Sequence, residues 1–178
     1  MSKSVQELKT QENIVIISGT NRPDSNTHKV SMQYRQVLEA LGIDAPVLSL
    51  VGLEVGNRSA QYDKIEAELL IPASKFIFIV PEYNGSIPGV LKAMIDISDY
   101  KKCWWGKKAL LVGVSTGRAG NLLGMGHLTA ILHNLRMIVH PNQVPISSIE
   151  RLLNGTHNIN DESTVKTISN QLEDFIRF

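Results

Sequence analysis

Cysteine is almost missing from this chain. A single residue, Cys103, stands among 178, which excludes an intramolecular disulfide and leaves no mark of an oxidising compartment. An excess of one charge is missing as well. Eighteen Lys and Arg face 17 Asp and Glu, a net +1, so no broad field argues for nucleic acid or an anionic membrane as partner. No apolar run approaches the ~20 residues of a membrane span. Residues 1–12 are polar and lack the hydrophobic stretch of a signal peptide. These absences predict a cytoplasmic protein without nucleic-acid or membrane partners. They leave 1–12 as a polar leader and 13–178 as one domain, long enough for a sizeable core.

Two nucleotide signatures are also missing. No Gly-Lys-Ser/Thr ending marks a P-loop, and no G-x-G-x-x-G marks a dinucleotide site. His28, His127, His133, His140 and His157 show no metal-ligand spacing with Cys or carboxylates, and read as surface or packed residues. No nucleophile motif surrounds Cys103, which reads as a structural thiol.

What is present is a repeated alternation of apolar runs and amphipathic stretches. Strands are expected at 13–18, 46–51, 75–80 and 108–114, with a fifth inside 136–146 interrupted by Pro141. Helices are expected at about 26–41, stopped by Gly42, at 62–70, after Pro88, around Leu128 to Leu135, and after an Asn160 or Asp161 cap. Alternation of this kind favours a parallel sheet covered on both faces. The expected fold is α/β: a three-layer, doubly wound parallel sheet of five strands in the order 2-1-3-4-5. In such sheets ligands bind beyond the carboxyl ends of the strands. Polar, glycine-containing loops follow strands one, three and four, and this order brings them to one rim.

The first of these loops is Ser18-Gly19-Thr20-Asn21-Arg22-Pro23-Asp24-Ser25-Asn26-Thr27. It precedes a helix, whose N-terminus offers unpaired N–H groups and a partial positive charge. Hydroxyls and a guanidinium beside that terminus suit a terminal monophosphate. The same loop also reads as an ordinary turn with a Ser or Asn N-cap. Other residues are open to two readings. Trp104 and Trp105 read as packing beneath the sheet edge or as an interface, with packing favoured. Glu82 faces solvent or an interface, and Tyr83 is a loop anchor or a ring contact, with ring contact favoured. Leu122, Leu123 and Met125, placed ahead of the fourth helix, either roof a ligand or fill core, with core favoured.

The second loop, Pro81-Glu82-Tyr83-Asn84-Gly85-Ser86-Ile87-Pro88-Gly89, runs on into Val90-Leu91-Lys92-Ala93-Met94-Ile95-Asp96. This block closely resembles the signature of the NADPH-dependent FMN reductase family, whose relatives include azo, quinone and chromate reductases. The loop at 19–27 resembles that family's phosphate loop, and the resemblance extends from about residue 13 to 145. The third loop, 115–121, matches less closely, since related sequences often carry a second glycine where this chain has Asn121.

The resemblance implies a flavodoxin-like fold, non-covalent FMN and NADPH or NADH as the electron source. It implies transfer of hydride from the nicotinamide to the flavin, and of electrons onward to a small-molecule acceptor: a quinone, an azo compound, a metal oxyanion or free flavin. Thr20, Arg22, Ser25, Asn26 and Thr27 would hold the phosphate. Pro81, Glu82, Tyr83, Asn84 and Gly85 would line the isoalloxazine, largely through backbone groups. Ser115, Thr116, Gly117 and Arg118 would meet its pyrimidine edge. No catalytic side chain is implied, because the hydride chemistry belongs to the cofactor. A homodimer, or a tetramer, is implied too. An electron carrier like flavodoxin and a flavin-binding sensor are the alternative functions. Carriers of that kind tend to be strongly acidic, which this chain is not.

Overall fold

The computed structural model describes residues 13–153 and 158–178. The polar leader at 1–12 and His157 lie outside them. In order, the elements are β1 (Ile14–Ser18), α1 (Asn26–Ala40), β2 (Val47–Ser49), α2 (Ala60–Ile65), β3 (Lys75–Pro81), α3 (Gly89–Ile97), α4 (Tyr100–Cys103), β4 (Lys108–Val114), α5 (Leu122–Asn134), β5 (Ile138–Val139), β6 (Val144–Ile146), α6 (Ile149–Leu152) and α7 (Glu162–Arg177).

All strand pairings among them are parallel, in the order β2-β1-β3-β4-β5. The expected fifth strand is in two pieces. β5 pairs with the start of β4, Lys108 opposite Ile138, and β6 with its end, Val112 opposite Val144. The break falls around Pro141, and Pro145 sits within β6, tolerated because this is the sheet edge. Both pieces occupy one position beside β4, so the predicted 2-1-3-4-5 order holds.

The central strands are apolar throughout because both faces are covered. Their two-residue alternation divides the core. Val15, Ile17, Phe76, Phe78, Val80 and Leu111 face one layer, with Leu91, Met94, Met125, Leu128 and Trp104. Ile14, Ile16, Ile77, Ile79, Leu110 and Val112 face the other, with Val30, Tyr34 and Leu38 of α1 and Ile168, Leu172 and Phe175 of α7. The two tryptophans separate. Trp104 is fully buried, its ring 4.9 Å from Phe76. Trp105 is partly exposed beneath the Arg136 guanidinium, 4.2 Å away.

Helix ends follow local chemistry. Ser25 Oγ accepts the His28 N–H at 3.1 Å and caps α1, as its side chain type favours. Gly42, at φ 76°, closes the other end. Ile43 N–H bonds Leu38 O and Gly42 N–H bonds Glu39 O, both at 2.9 Å, the paired pattern of a helix that stops on glycine. Asp161, one of the two expected caps, holds the start of α7 through the Thr164 N–H. At its far end Lys75, buried at the start of β3, donates to the Phe175 and Ile176 carbonyls at 3.0 and 2.9 Å.

The stretch 62–70 departs from its expected single helix. α2 ends at Ile65, and Glu66–Leu70 forms one π-helical turn, with Ile71 N–H on Glu66 O at 2.8 Å. At that turn Glu66 is buried, where its carboxylate accepts from the Asp99 N–H at 2.6 Å, the Cys103 thiol at 3.4 Å and Arg58.

Candidate functional site

A cavity of about 470 Å³ opens beyond the carboxyl ends of β1, β3 and β4. That size is in the range of small-molecule and cofactor sites. Its walls include Thr20, Arg22, Ser25, Asn26 and Thr27 from the first loop, Pro81, Glu82 and Tyr83 from the second, and Ser115, Thr116, Gly117 and Arg118 from the third. Twelve of the fourteen residues named from sequence therefore meet at one place. Asn84 and Gly85 are the two that do not line it.

The first loop is built by its contact with β3. Gly19 donates to Ile79 O at 2.8 Å. A Cβ there would stand 2.9 Å from that same oxygen, so only glycine lets the chain cross so closely. The chain then enters α1. The N–H groups of Asn26 and Thr27, in its first turn, bond no acceptor among the described residues. Ser25 Oγ accepts from His28 and keeps its hydrogen to donate. The donor set is thus two backbone N–H groups, hydroxyls and the Arg22 guanidinium, the chemistry a phosphate monoester needs. Asp24, the awkward carboxylate in this loop, is exposed at φ 51° and is not part of the wall.

The second loop explains the absence of Asn84 and Gly85. Tyr83 and Ser86 exchange backbone hydrogen bonds at 2.9 and 3.0 Å, while Asn84 and Gly85 sit at φ 51° and 75°. That is a two-residue turn with both central residues left-handed, the form an Asn-Gly pair favours. The pair therefore occupies the tip of that turn and does not line the cavity. Tyr83 lines the cavity and also anchors the loop, the less favoured of its two readings. Its side chain crosses to the first loop, with its hydroxyl 2.6 Å from Thr20 Oγ1 and its ring under the Arg22 guanidinium at 4.2 Å. Glu82 is exposed, and its N–H bonds Val114 O at 3.2 Å.

The third loop is held from several sides. Ser115 Oγ donates to Gly117 O at 2.9 Å and accepts the Gly120 N–H at 3.0 Å, so its hydroxyl shapes the loop itself. Ser148 N–H bonds Gly117 O at 2.8 Å. Asn121, the position at which the third loop departs from the expected family pattern, adopts φ 61°. Asn is one of the few side chains tolerated there, so this position takes a backbone conformation that glycine would also allow. Its amide also donates to Val80 O at 3.0 Å, pinning the loop to β3. Gly124 makes room for that side chain, since a Cβ at 124 would lie 2.1 Å from Asn121 Oδ1.

Pro23, Val114, Ala119 and Ile149 also line the cavity and were not named from sequence. Ile149 comes from α6, which follows the last strand. The rule that ligands sit beyond strand ends would have included that connection too. Leu122, Leu123 and Met125 are corrected: all three lie inside α5, not before it. Met125 is core as favoured, but Leu122 and Leu123 are 59% and 60% exposed. Among the described residues no group of His, Cys, Asp and Glu could hold a metal. His127 meets Ser86 through Nδ1 at 2.9 Å, and His140 packs edge-on against Phe178. No helix among the described residues is long and apolar enough to cross a membrane.

A cavity with this donor set, on a sheet of this order, defines a mononucleotide-binding α/β protein of the flavodoxin-like kind. The chain belongs to the NADPH-dependent FMN reductase family, whose model matches residues 13–151. It is thus an oxidoreductase of a family working with FMN and reduced nicotinamide. A 2-hydroxy-1,4-benzoquinone reductase from a Burkholderia species is 25% identical over 177 residues, covering 91% of this chain and 93% of that one. A quinone reductase from Pseudomonas putida is 28% identical over 165 residues, covering 84% and 82%. Among solved structures, the flavoenzyme NAD(P)H:(acceptor) oxidoreductase FerB from Paracoccus denitrificans shares the fold. Its TM-score is 0.71 at 22% identity, over 93% of this chain and 96% of that one.

Proposed function

We propose that this protein binds one FMN in the cavity at the sheet's carboxyl rim and passes electrons from NADPH or NADH to quinones. The observation that carries the proposal is the convergence of three loops around one cavity with phosphate donors at one end. When bound, FMN would supply the redox chemistry between the nicotinamide and the acceptor. The protein's own residues bind and orient. Thr20, Arg22, Ser25, Asn26 and Thr27 would hold the phosphate. Pro81, Glu82 and Tyr83 would line the ring system, and Ser115, Thr116, Gly117 and Arg118 would meet its pyrimidine edge. No side chain is assigned a proton-transfer role.

Quinones are preferred over azo compounds, metal oxyanions and free flavin because both relatives described above act on quinones by name. A cytoplasmic setting belongs to the same proposal, as does a homodimer. Leu122 and Leu123 are exposed apolar residues at the start of α5, Leu123 beside Gly85, that a second copy would cover. Sedimentation would then give twice the chain mass.

The test is steady-state oxidation of NADPH and NADH by the FMN-loaded protein with a benzoquinone. Sustained turnover is expected. A single reduction without turnover would favour the electron-carrier reading, and no reduction by either nicotinamide would favour a sensor.

A further inference from the structure

Tyr83 belongs to the ring-lining loop, yet its polar end is engaged with the phosphate loop 63 residues earlier. Thr20 is only 1% exposed, and two groups meet its oxygen. The Arg22 N–H donates to Oγ1 at 3.3 Å, and the Tyr83 hydroxyl lies 2.6 Å away. A hydroxyl has one hydrogen and two lone pairs. Arg22 occupies one lone pair, so two arrangements remain. If Thr20 donates to Tyr83, it has no hydrogen left for the cavity. If Tyr83 donates to Thr20, both lone pairs are filled, and the one remaining hydrogen is free for an acceptor in the cavity Thr20 lines.

We propose that Tyr83 is a positioning residue for the phosphate: by donating to Thr20 Oγ1 it makes Thr20 an obligate donor to the anion. An anion accepts hydrogen bonds only, so its arrival selects the second arrangement and draws the Tyr83 proton toward Thr20. The ring contributes separately. Arg22, exposed and otherwise free to rotate, rests on the Tyr83 face at 4.2 Å, an attraction that holds its charge at the cavity wall. One tyrosine thereby orients two phosphate ligands, the hydroxyl through its own O–H and the guanidinium through its π face. This rests on the FMN reading above and deepens it.

The experiment compares wild type, Tyr83→Phe, Thr20→Val and the double variant, titrating each apo-protein with FMN and with riboflavin by flavin fluorescence. Riboflavin lacks the phosphate and reports the ring site alone. Tyr83→Phe keeps the ring and loses only the O–H. FMN affinity should fall about threefold in Tyr83→Phe, because the bond removed joins two neutral hydroxyls and acts on the anion only by orienting and polarising the Thr20 O–H. Riboflavin affinity should stay within about twofold. Thr20→Val should lower FMN affinity about tenfold, as for loss of a hydrogen bond to a charged group, and adding Tyr83→Phe to it should cost nothing further, since both act through one hydroxyl. FMN losses that multiply in the double variant would overturn the inference. So would a Tyr83→Phe variant that binds FMN as wild type does, or that loses FMN and riboflavin equally. Wild-type protein that fails to bind FMN would instead overturn the functional reading beneath it.

Discussion

Cys103 shows how far a residue's chemistry is set by its surroundings. Burial, and next to it the Glu66 carboxylate accepting from the thiol, push the Cys103 pKa up to about 12. Because only the thiolate attacks, a thiol displaced from its ordinary 9.0 carries about a thousandfold less nucleophile at neutral pH. The native protein should therefore resist iodoacetamide at pH 8, and the same cysteine should label fully in denaturant. Rapid labelling of folded protein would contradict this placement. The residue scale is also where sequence reading reached furthest. The hydroxyls and guanidinium at 20–27 could be chosen by what an anion requires, whereas the serine, threonine and arginine at 115–118 followed only from the family resemblance. What could not be read was direction. Nothing in Pro-Glu-Tyr-Asn-Gly says that the tyrosine hydroxyl crosses to Thr20, because that contact depends on two loops meeting in space.

At the scale of elements, apolar runs and caps were legible because each is a local matter. β4 covers 108–114 as expected, α1 begins at Asn26, and Gly42 stops it through a closing turn that needs positive φ. The π-helical turn at Glu66–Leu70 was not legible, since its partners Asp99 and Cys103 lie more than thirty residues on. The short α4 and α6 fell below the length at which periodicity speaks. The π-helical turn makes a prediction of its own. Burial alone would raise the Glu66 carboxyl, but hydrogen bonds from Arg58, the Asp99 N–H and the Cys103 thiol outweigh it and hold it below its ordinary 4.5. A depressed carboxyl contributes stability above the unfolded-state value, and that contribution disappears as pH falls through the folded one. Glu66→Gln should lower stability at pH 7 by about 2 kcal/mol, less than a fully buried pair because Arg58 is half-exposed. Urea unfolding should show the gap from wild type narrowing steadily below pH 4.5. A gap independent of pH would remove the carboxylate's charge from the explanation.

At the scale of the whole molecule, strand order turns separate local motifs into one site. β1, β3 and β4 are neighbours, so loops that begin near residues 19, 82 and 115 converge although long stretches of chain separate them. The alternation of strands and helices was enough to foresee that convergence. It did not show that Asn84 and Gly85 would sit at a turn tip, or that α6 would bring Ile149 into the wall. The central claim is that this rim grips a single mononucleotide by its phosphate. Isothermal titration of the apo-protein with FMN, with riboflavin run alongside, tests it most directly. The account predicts one FMN per chain and riboflavin binding at least about tenfold weaker, as loss of a charge-assisted hydrogen-bond set requires. Equal affinity for the two flavins, or no FMN bound at all, would contradict it.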